Sequence, residues 1–163
     1  GYPDELTKVP YLIPVDVSAS NLSSAIKLDD LYQKLAETNA SRITFFLDAC
    51  FTGGGRNTGL LASRGIKVKP KQGQLNGNMV IFSASSEDQS SLPYHDEGHG
   101  IFTYFLLKKI QETKGNLSFG ELSEYLEHNV SIQSLRVNEK EQDPKVNTSS
   151  TIFNDWKNWR FLK

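Results

Sequence analysis

Cys50 is the only cysteine of the chain, and it stands two residues after Asp48 in the run Asp48-Ala49-Cys50-Phe51-Thr52-Gly53-Gly54-Gly55. A cysteine thiolate is a strong nucleophile. The apolar run Ile43–Leu47 ends just before it, so Cys50 falls past the end of an expected strand, where open parallel sheets bind ligands. The glycines behind it let backbone N–H groups come close to a substrate oxygen. The other reading of a lone cysteine is a small buried hydrophobe. In an extended chain, Asp48 and Cys50 project to the same side. A carboxylate beside a thiol raises the thiol pKa, so Asp48 makes a poor activator. It suits the floor of a pocket for a basic side chain, or a turn in which it bonds backbone N–H groups.

A cysteine nucleophile wants a histidine base. The chain offers His95, His99 and His128. His128 falls beside the apolar stripe of an expected helix and reads as solvated. His99, in Gly98-His99-Gly100, falls at the start of another helix and reads as its cap. A helix N-terminus disfavours an imidazolium, which argues against His99 as the base. His95 lies in the same acidic loop and is no better placed. Glu87, Asp88, Asp96 and Glu97 read as a solvated rim, and no metal site is expected.

These residues need elements to hold them. Tyr11–Ile13, between two prolines, reads as a short extended segment at an edge. Leu28, Leu31, Tyr32 and Leu35 recur at helical spacing. Ile43–Leu47 and Met79–Phe82 read as strands covered on both faces, central parallel neighbours in one sheet. Between them, Gly53 to Asn78 reads as a long glycine-rich surface loop. Ile101–Ile110 reads as a helix stopped near Gly115. Ser118 and Glu121 match a capping box that opens a helix burying Leu122, Tyr125, Leu126 and Val130. Asn138–Ser150 reads as a loop. The tail, with Ile152, Phe153, Trp156, Trp159 and Phe161, is expected to dock on the body. The alternation predicts an α/β fold with a mainly parallel central sheet flanked by helices.

The chain has 163 residues, enough for one domain with a real core. One cysteine excludes an internal disulfide and a thiolate zinc cluster. A net charge of −1 gives no electrostatic reason to expect nucleic acid. No apolar run approaches the ~20 residues of a membrane helix. No targeting segment is visible, and a cytoplasmic location is the expectation. The chain opens at Gly1 and its one methionine is Met79, so it reads as a piece of a longer polypeptide.

Four blocks carry a family resemblance. Asp48-Ala49-Cys50-Phe51-Thr52-Gly53 resembles the nucleophile motif of caspase-like cysteine peptidases, in the metacaspase and orthocaspase branch, which has Asp two before the Cys. Val80 to Ser91 resembles the strand and loop that open the small subunit of that branch. Gly98 to Leu107 resembles the Gly-x-Phe-Thr-x-x-Leu helix that follows. Pro10 to Asp16 resembles the segment after the catalytic histidine. The resemblance implies a caspase-like fold and a cysteine endopeptidase without cofactor, acting on peptides and proteins. Residues 1–55 then end a large-subunit-like part, 56–78 form a linker, and 79–163 form a small-subunit-like part.

The same resemblance implies roles. Cys50 is the nucleophile, and its N–H with one near Gly1 forms the oxyanion hole. Asp48, with Ser83, Ser85 and Asp88, receives an Arg or Lys side chain. Arg56, Arg64, Lys67 and Lys71 become candidates for self-cleavage. The family's histidine lies ~50 residues before the nucleophile, which from Cys50 reaches back to about residue 0. The base is therefore expected upstream of Gly1 or on another polypeptide. Two rival readings stand beside this one. One is an inactive caspase-like scaffold. The other is phosphate or nucleic-acid binding through the basic loop, where Arg56, Arg64, Lys67, Lys69 and Lys71 stand without an interleaved aromatic.

Overall fold

The computed structural model describes residues 1–4, 6–17, 21–49, 51, 73–86 and 89–162. Its first part is a small antiparallel sheet of β1 (Tyr2–Pro3), β2 (Pro10–Leu12) and β3 (Ile26–Lys27), in that order. The prolines around β2 suggest an edge, yet β2 is the middle strand. Its two-residue neighbours are too short to need the N–H groups that proline lacks at every position. Helix α1 (Leu28–Ala36) follows at once, with Asp29 and Asp30 in its first turn where the helix dipole favours them. Its expected stripe holds: Leu28 is buried and Leu31, Tyr32 and Leu35 are half-buried.

The central sheet has the order β4–β5–β8, from Ile43–Leu47, Met79–Ser83 and Lys145–Thr148. β4 and β5 are parallel, with Ile43 opposite Met79 and Leu47 opposite Ser83, as their apolar runs predict. Two expectations are corrected. Among the described strands, β4 is an edge rather than a centre, and each of its residues is half-buried rather than covered. The sheet is mixed rather than mainly parallel, because β8 runs antiparallel to β5.

The direction of β8 follows from the helix count. The chain leaves the C-terminal end of β5, passes a short hairpin of β6 (Pro93–Tyr94) and β7 (His99–Gly100), and runs through α2 (Ile101–Thr113) and α3 (Phe119–Asn138). Two helices bring it back to the end it left, so Lys145 enters opposite Ser83. A single crossover helix would give a parallel return. The sequence hid β8 because Lys145-Val146-Asn147-Thr148 has only one apolar residue.

The core lies on one side of β5. Val80 and Phe82 pack against Ile101, Phe102, Phe105 and Leu106 of α2, and against Phe119, Leu122, Leu126 and Val130 of α3. The capping box is present, with Ser118 accepting from the Glu121 N–H and Glu121 accepting from the Ser118 N–H. The tail docks as expected through Ile152, Trp156 and Trp159, and the Phe119 N–H donates to the Trp159 carbonyl at 2.7 Å. Phe153 departs from that expectation and is 70 % exposed. No helix of the described residues is long and apolar enough to cross a membrane.

Candidate active site

Side chains alternate along β4 and carry the site to one face. Phe46 stacks on Phe82 at 5.0 Å, on the side of α2 and α3. Leu47 points the other way, into a small cavity shared with Tyr32, Ile81 and Phe51. Asp48, one residue beyond the strand, returns to the α2 side. There its Oδ2 accepts from the Thr103 hydroxyl at 2.5 Å and from the Thr103 N–H at 3.3 Å. Its Oδ1 accepts from the Ser91 hydroxyl.

Thr103 lies in the first turn of α2, which opens at Gly100 and so has no capping side chain of its own. The carboxylate of Asp48 takes that place from a different element, with its charge at the positive end of the helix. His99 therefore does not cap α2, contrary to expectation. It sits in β7, paired with Tyr94, and is exposed.

Asp48 opens onto a hollow that it lines together with Pro93, Tyr94, His95, Gly98, His99, Gly100 and Thr103. The β6–β7 hairpin is its wall. The turn His95–Glu97 closes at Gly98, whose φ of 68° is left-handed. A Cβ there would meet nothing within 4 Å, so backbone conformation rather than space calls for glycine. The hairpin is fastened from outside. The Tyr94 ring sits edge-on to Tyr104 at 5.0 Å, and its hydroxyl accepts from Gln133 at 2.8 Å. Asn138 donates to the Pro93 carbonyl at 3.0 Å. His95 and His99 thus reach the same hollow as Asp48, while His128 is exposed on α3 as expected.

The loop that follows β5 is clamped by a residue the sequence did not single out. The Gln142 side chain is fully buried; its amide donates to the Ala84 carbonyl at 3.0 Å and accepts from the Leu92 N–H at 2.8 Å. It thereby closes the two ends of the loop. Gln89 and Asp143 close its middle: the Gln89 amide donates to Asp143 at 2.6 Å, and the Asp143 N–H donates back at 2.7 Å. Bonds from Gln89 and then Ser131 hold the Asp143 carboxyl below its ordinary pKa. Ser91 immediately precedes Leu92, so the clamp also fixes the hydroxyl that Asp48 receives. Gln142 carried no sequence signal, being one polar residue in a polar stretch.

The remaining expected residues scatter. Ser83 ends β5 and lines the cavity on the α1 side, away from the Asp48 hollow. Ser85 donates within its own loop to the Gln89 carbonyl at 3.3 Å. Gly1 is exposed and precedes β1. Cys50, Asp88, Arg56, Arg64, Lys67 and Lys71 lie outside the described residues, as does Lys69. Among the described residues, no group of His, Cys, Asp and Glu is suited to a metal ion.

A family model described as the caspase domain, of the C14 peptidases, matches residues 2–154. The chain belongs to the caspase-domain family. Membership makes it a cysteine-type peptidase domain, with proteins as the substrate class. A search of the curated proteins finds no match. The caspase-domain match runs from β1 to the docked tail, so it takes in the parallel β4–β5 pair, both core helices and the Asp48 hollow.

Proposed function

We propose that this caspase-type domain belongs to the metacaspase-like branch and hydrolyses peptide bonds after Arg or Lys, with Cys50 as the nucleophile. The observation that carries the reading is the setting of Asp48. It stands two residues before the one cysteine, at the C-terminal end of a parallel strand, with its carboxylate on an open hollow. A carboxylate lining such a hollow suits a guanidinium or ammonium group.

The chemistry is acyl transfer. The Cys50 sulfur attacks the scissile carbonyl carbon, and the oxyanion is taken by the Cys50 N–H with a backbone N–H near Gly1. A histidine base, carried upstream of Gly1 or on another polypeptide, takes the thiol proton and passes it to the leaving amine as the C–N bond breaks. Water then cleaves the thioester and restores the thiol. Ser85 and Asp88 flank the bound peptide in this reading, whereas Ser83 lines the cavity on the α1 side. The linker 56–78 is a substrate of the same site, at Arg64 before Gly65 in preference to Arg56, Lys67 or Lys71.

The test is intact-mass analysis of the full-length protein beside its Cys50→Ala form. Peptidase activity and cleavage after a basic linker residue are expected in the first alone. Equal peptidase activity in Cys50→Ala overturns the nucleophile. Inactivity of both, with no reaction of Cys50 toward iodoacetamide, leaves the scaffold reading. An active protein whose linker stays whole removes self-cleavage only.

A further inference from the structure

Leu47 and Phe51 stand three residues before Cys50 and one after it, and both line the cavity on the α1 side of the sheet. The stretch that carries Cys50 therefore has both its ends on one small space of about 60 Å³. We propose that Leu75, which lines the same space, is a positioning residue for the nucleophile and ties the end of the linker to it. This deepens the reading of Cys50 given above and rests on it.

Leu75 arrives there on a strap laid along α1. A Cβ on Gly73 would stand 2.8 Å from the Asp29 carboxylate, in the first turn of the helix. A Cβ on Gly77 would stand 3.4 Å from the Cβ of Ala36, the last residue of the helix. A chain spans at most about 14 Å from residue 73 to residue 77, and the helix rises about 10 Å from Asp29 to Ala36. Residues 73–77 therefore run beside α1 in its own direction with little slack. Their far end is fastened. The Gly77 carbonyl accepts from the Thr151 hydroxyl at 2.7 Å and from the Ser149 hydroxyl. The Asn78 carbonyl accepts from the Ile43 N–H at 2.8 Å. Gly77 itself has a φ of 70°, which a side chain would strain.

Between these two anchors Leu75, half-buried, reaches the cavity. Leu28 and Tyr32 of α1 and Ile81 of β5 line it from the fold, and Leu75 lines it from the end of the linker. Side-chain atoms that face a void lose part of their contact energy. Without the Leu75 side chain, Leu47 and Phe51 gain room to shift, and the stretch between them shifts too. A displacement of about 1 Å at a reacting atom is enough to lower a rate by about a hundredfold. The Asp48 hollow lies on the opposite side of the sheet and does not share the cavity's lining. Loss of Leu75 therefore acts on the chemical step and leaves the binding of the basic side chain in place.

The experiment compares Leu75→Ala, Leu75→Met and Ser118→Ala in the full-length protein. It reads kcat and KM on peptides with Arg or Lys before the scissile bond. It also reads the rate at which iodoacetamide alkylates Cys50 from pH 5 to 10, followed on the Cys50 peptide by mass spectrometry, which needs no turnover. Leu75→Ala is expected to lower kcat by about tenfold or more on both peptides, with KM little changed. Its alkylation profile moves up toward the ~8.5 of a free thiol, because a displaced sulfur loses its base. Leu75→Met refills the space and restores both readings. Ser118→Ala, a residue that lines no part of the cavity, changes neither. An undiminished kcat, a loss confined to KM, an unmoved alkylation profile, or equal effects in Ser118→Ala overturn the positioning role while Cys50 stands as the nucleophile. A wild type matched in activity by Cys50→Ala, or one that is inactive and whose Cys50 does not react, overturns the nucleophile and this inference together. If Leu75→Ala does not fold, Leu75→Val, which removes a single methylene, carries the same comparison.

Discussion

β4 and β5 lie side by side with nearly equal apolar content, yet Met79–Phe82 of β5 are all buried and Ile43–Leu47 of β4 are all half-buried. The contrast extends to the regions around them. The buried core cluster is built from residues between Val80 and Trp159, and among the described residues before β5 the partly buried Phe46 packs against it, with the Arg42 guanidinium over the Trp159 ring. Among the described residues before β5, Leu28 is the one buried hydrophobic residue besides Pro3 and Pro10, and with Ile81 of β5 it lines the cavity on the α1 side. Residues 79–162 thus form a body with its own core, and residues 1–49 lean on it. The active-site candidate sits on the seam: Asp48 belongs to the leaning part, while Thr103 and Ser91, which grip it, belong to the body.

The largest effect separates the two regions. Phe82 is 1 % exposed and contacts Phe46, Phe119 and Trp156, so Phe82→Ala is expected to cost about 3–5 kcal/mol in urea unfolding. Phe45, half-buried against Tyr32, is expected to cost less than half as much on change to Ala. Equal costs would erase the distinction between body and leaning part.

Gln142→Met comes next. It keeps the volume and leaves the Ala84 carbonyl and the Leu92 N–H buried without their partner. The expected loss is about 2–4 kcal/mol, since each such group costs roughly 1–3. Hydrogen exchange of residues 84–92 should rise more than that of β5; a uniform rise would mean that the amide holds the core and not the loop. Ser118→Ala removes one half of the capping box and is expected to cost about 1 kcal/mol, read from the same unfolding curves.

The smallest effect is a pH dependence of the loop. The folded pKa of Asp143 is lowered from 3.8, so its contribution is complete above that value and is lost as pH falls through the folded pKa. Exchange of the Gln89 region, taken relative to the intrinsic rate at each pH, should therefore be flat from neutral pH to about 5 and rise only in more acid solution. Asp143→Asn should remove that rise. Persistence of it in the variant would assign the acid sensitivity elsewhere.

Legibility in the sequence follows the range of the interaction. The spacing of Leu28, Leu31, Tyr32 and Leu35, the capping box at Ser118, and the runs at Ile43 and Met79 are local patterns, and each yielded its element. An apolar run does not say whether a strand has one neighbour or two, so β4 was expected in the centre and stands at an edge. β8 was missed because antiparallel pairing to a buried strand demands little hydrophobicity of its own. At the site, Asp48 was legible from its spacing to Cys50. Its partners Ser91 and Thr103 are 43 and 55 residues away, and the loop after β5 brings the first to it and the start of α2 the second. Gly98-His99-Gly100 suggested a cap, but the cap of α2 comes from Asp48, one residue beyond β4.

The most direct test of the account is the Asp48→Asn form of the full-length protein, assayed on peptides that differ only in the residue before the scissile bond. Asparagine keeps an acceptor for Thr103 and removes the charge. Cleavage after Arg and Lys is expected to fall by about 2–4 kcal/mol, roughly 30- to 1000-fold in kcat/KM, while cleavage after norleucine changes little. A wild-type protein that turns over peptides with Asp at that position as well as or better than those with Arg would contradict it, as would an Asp48→Asn form with undiminished cleavage after Arg.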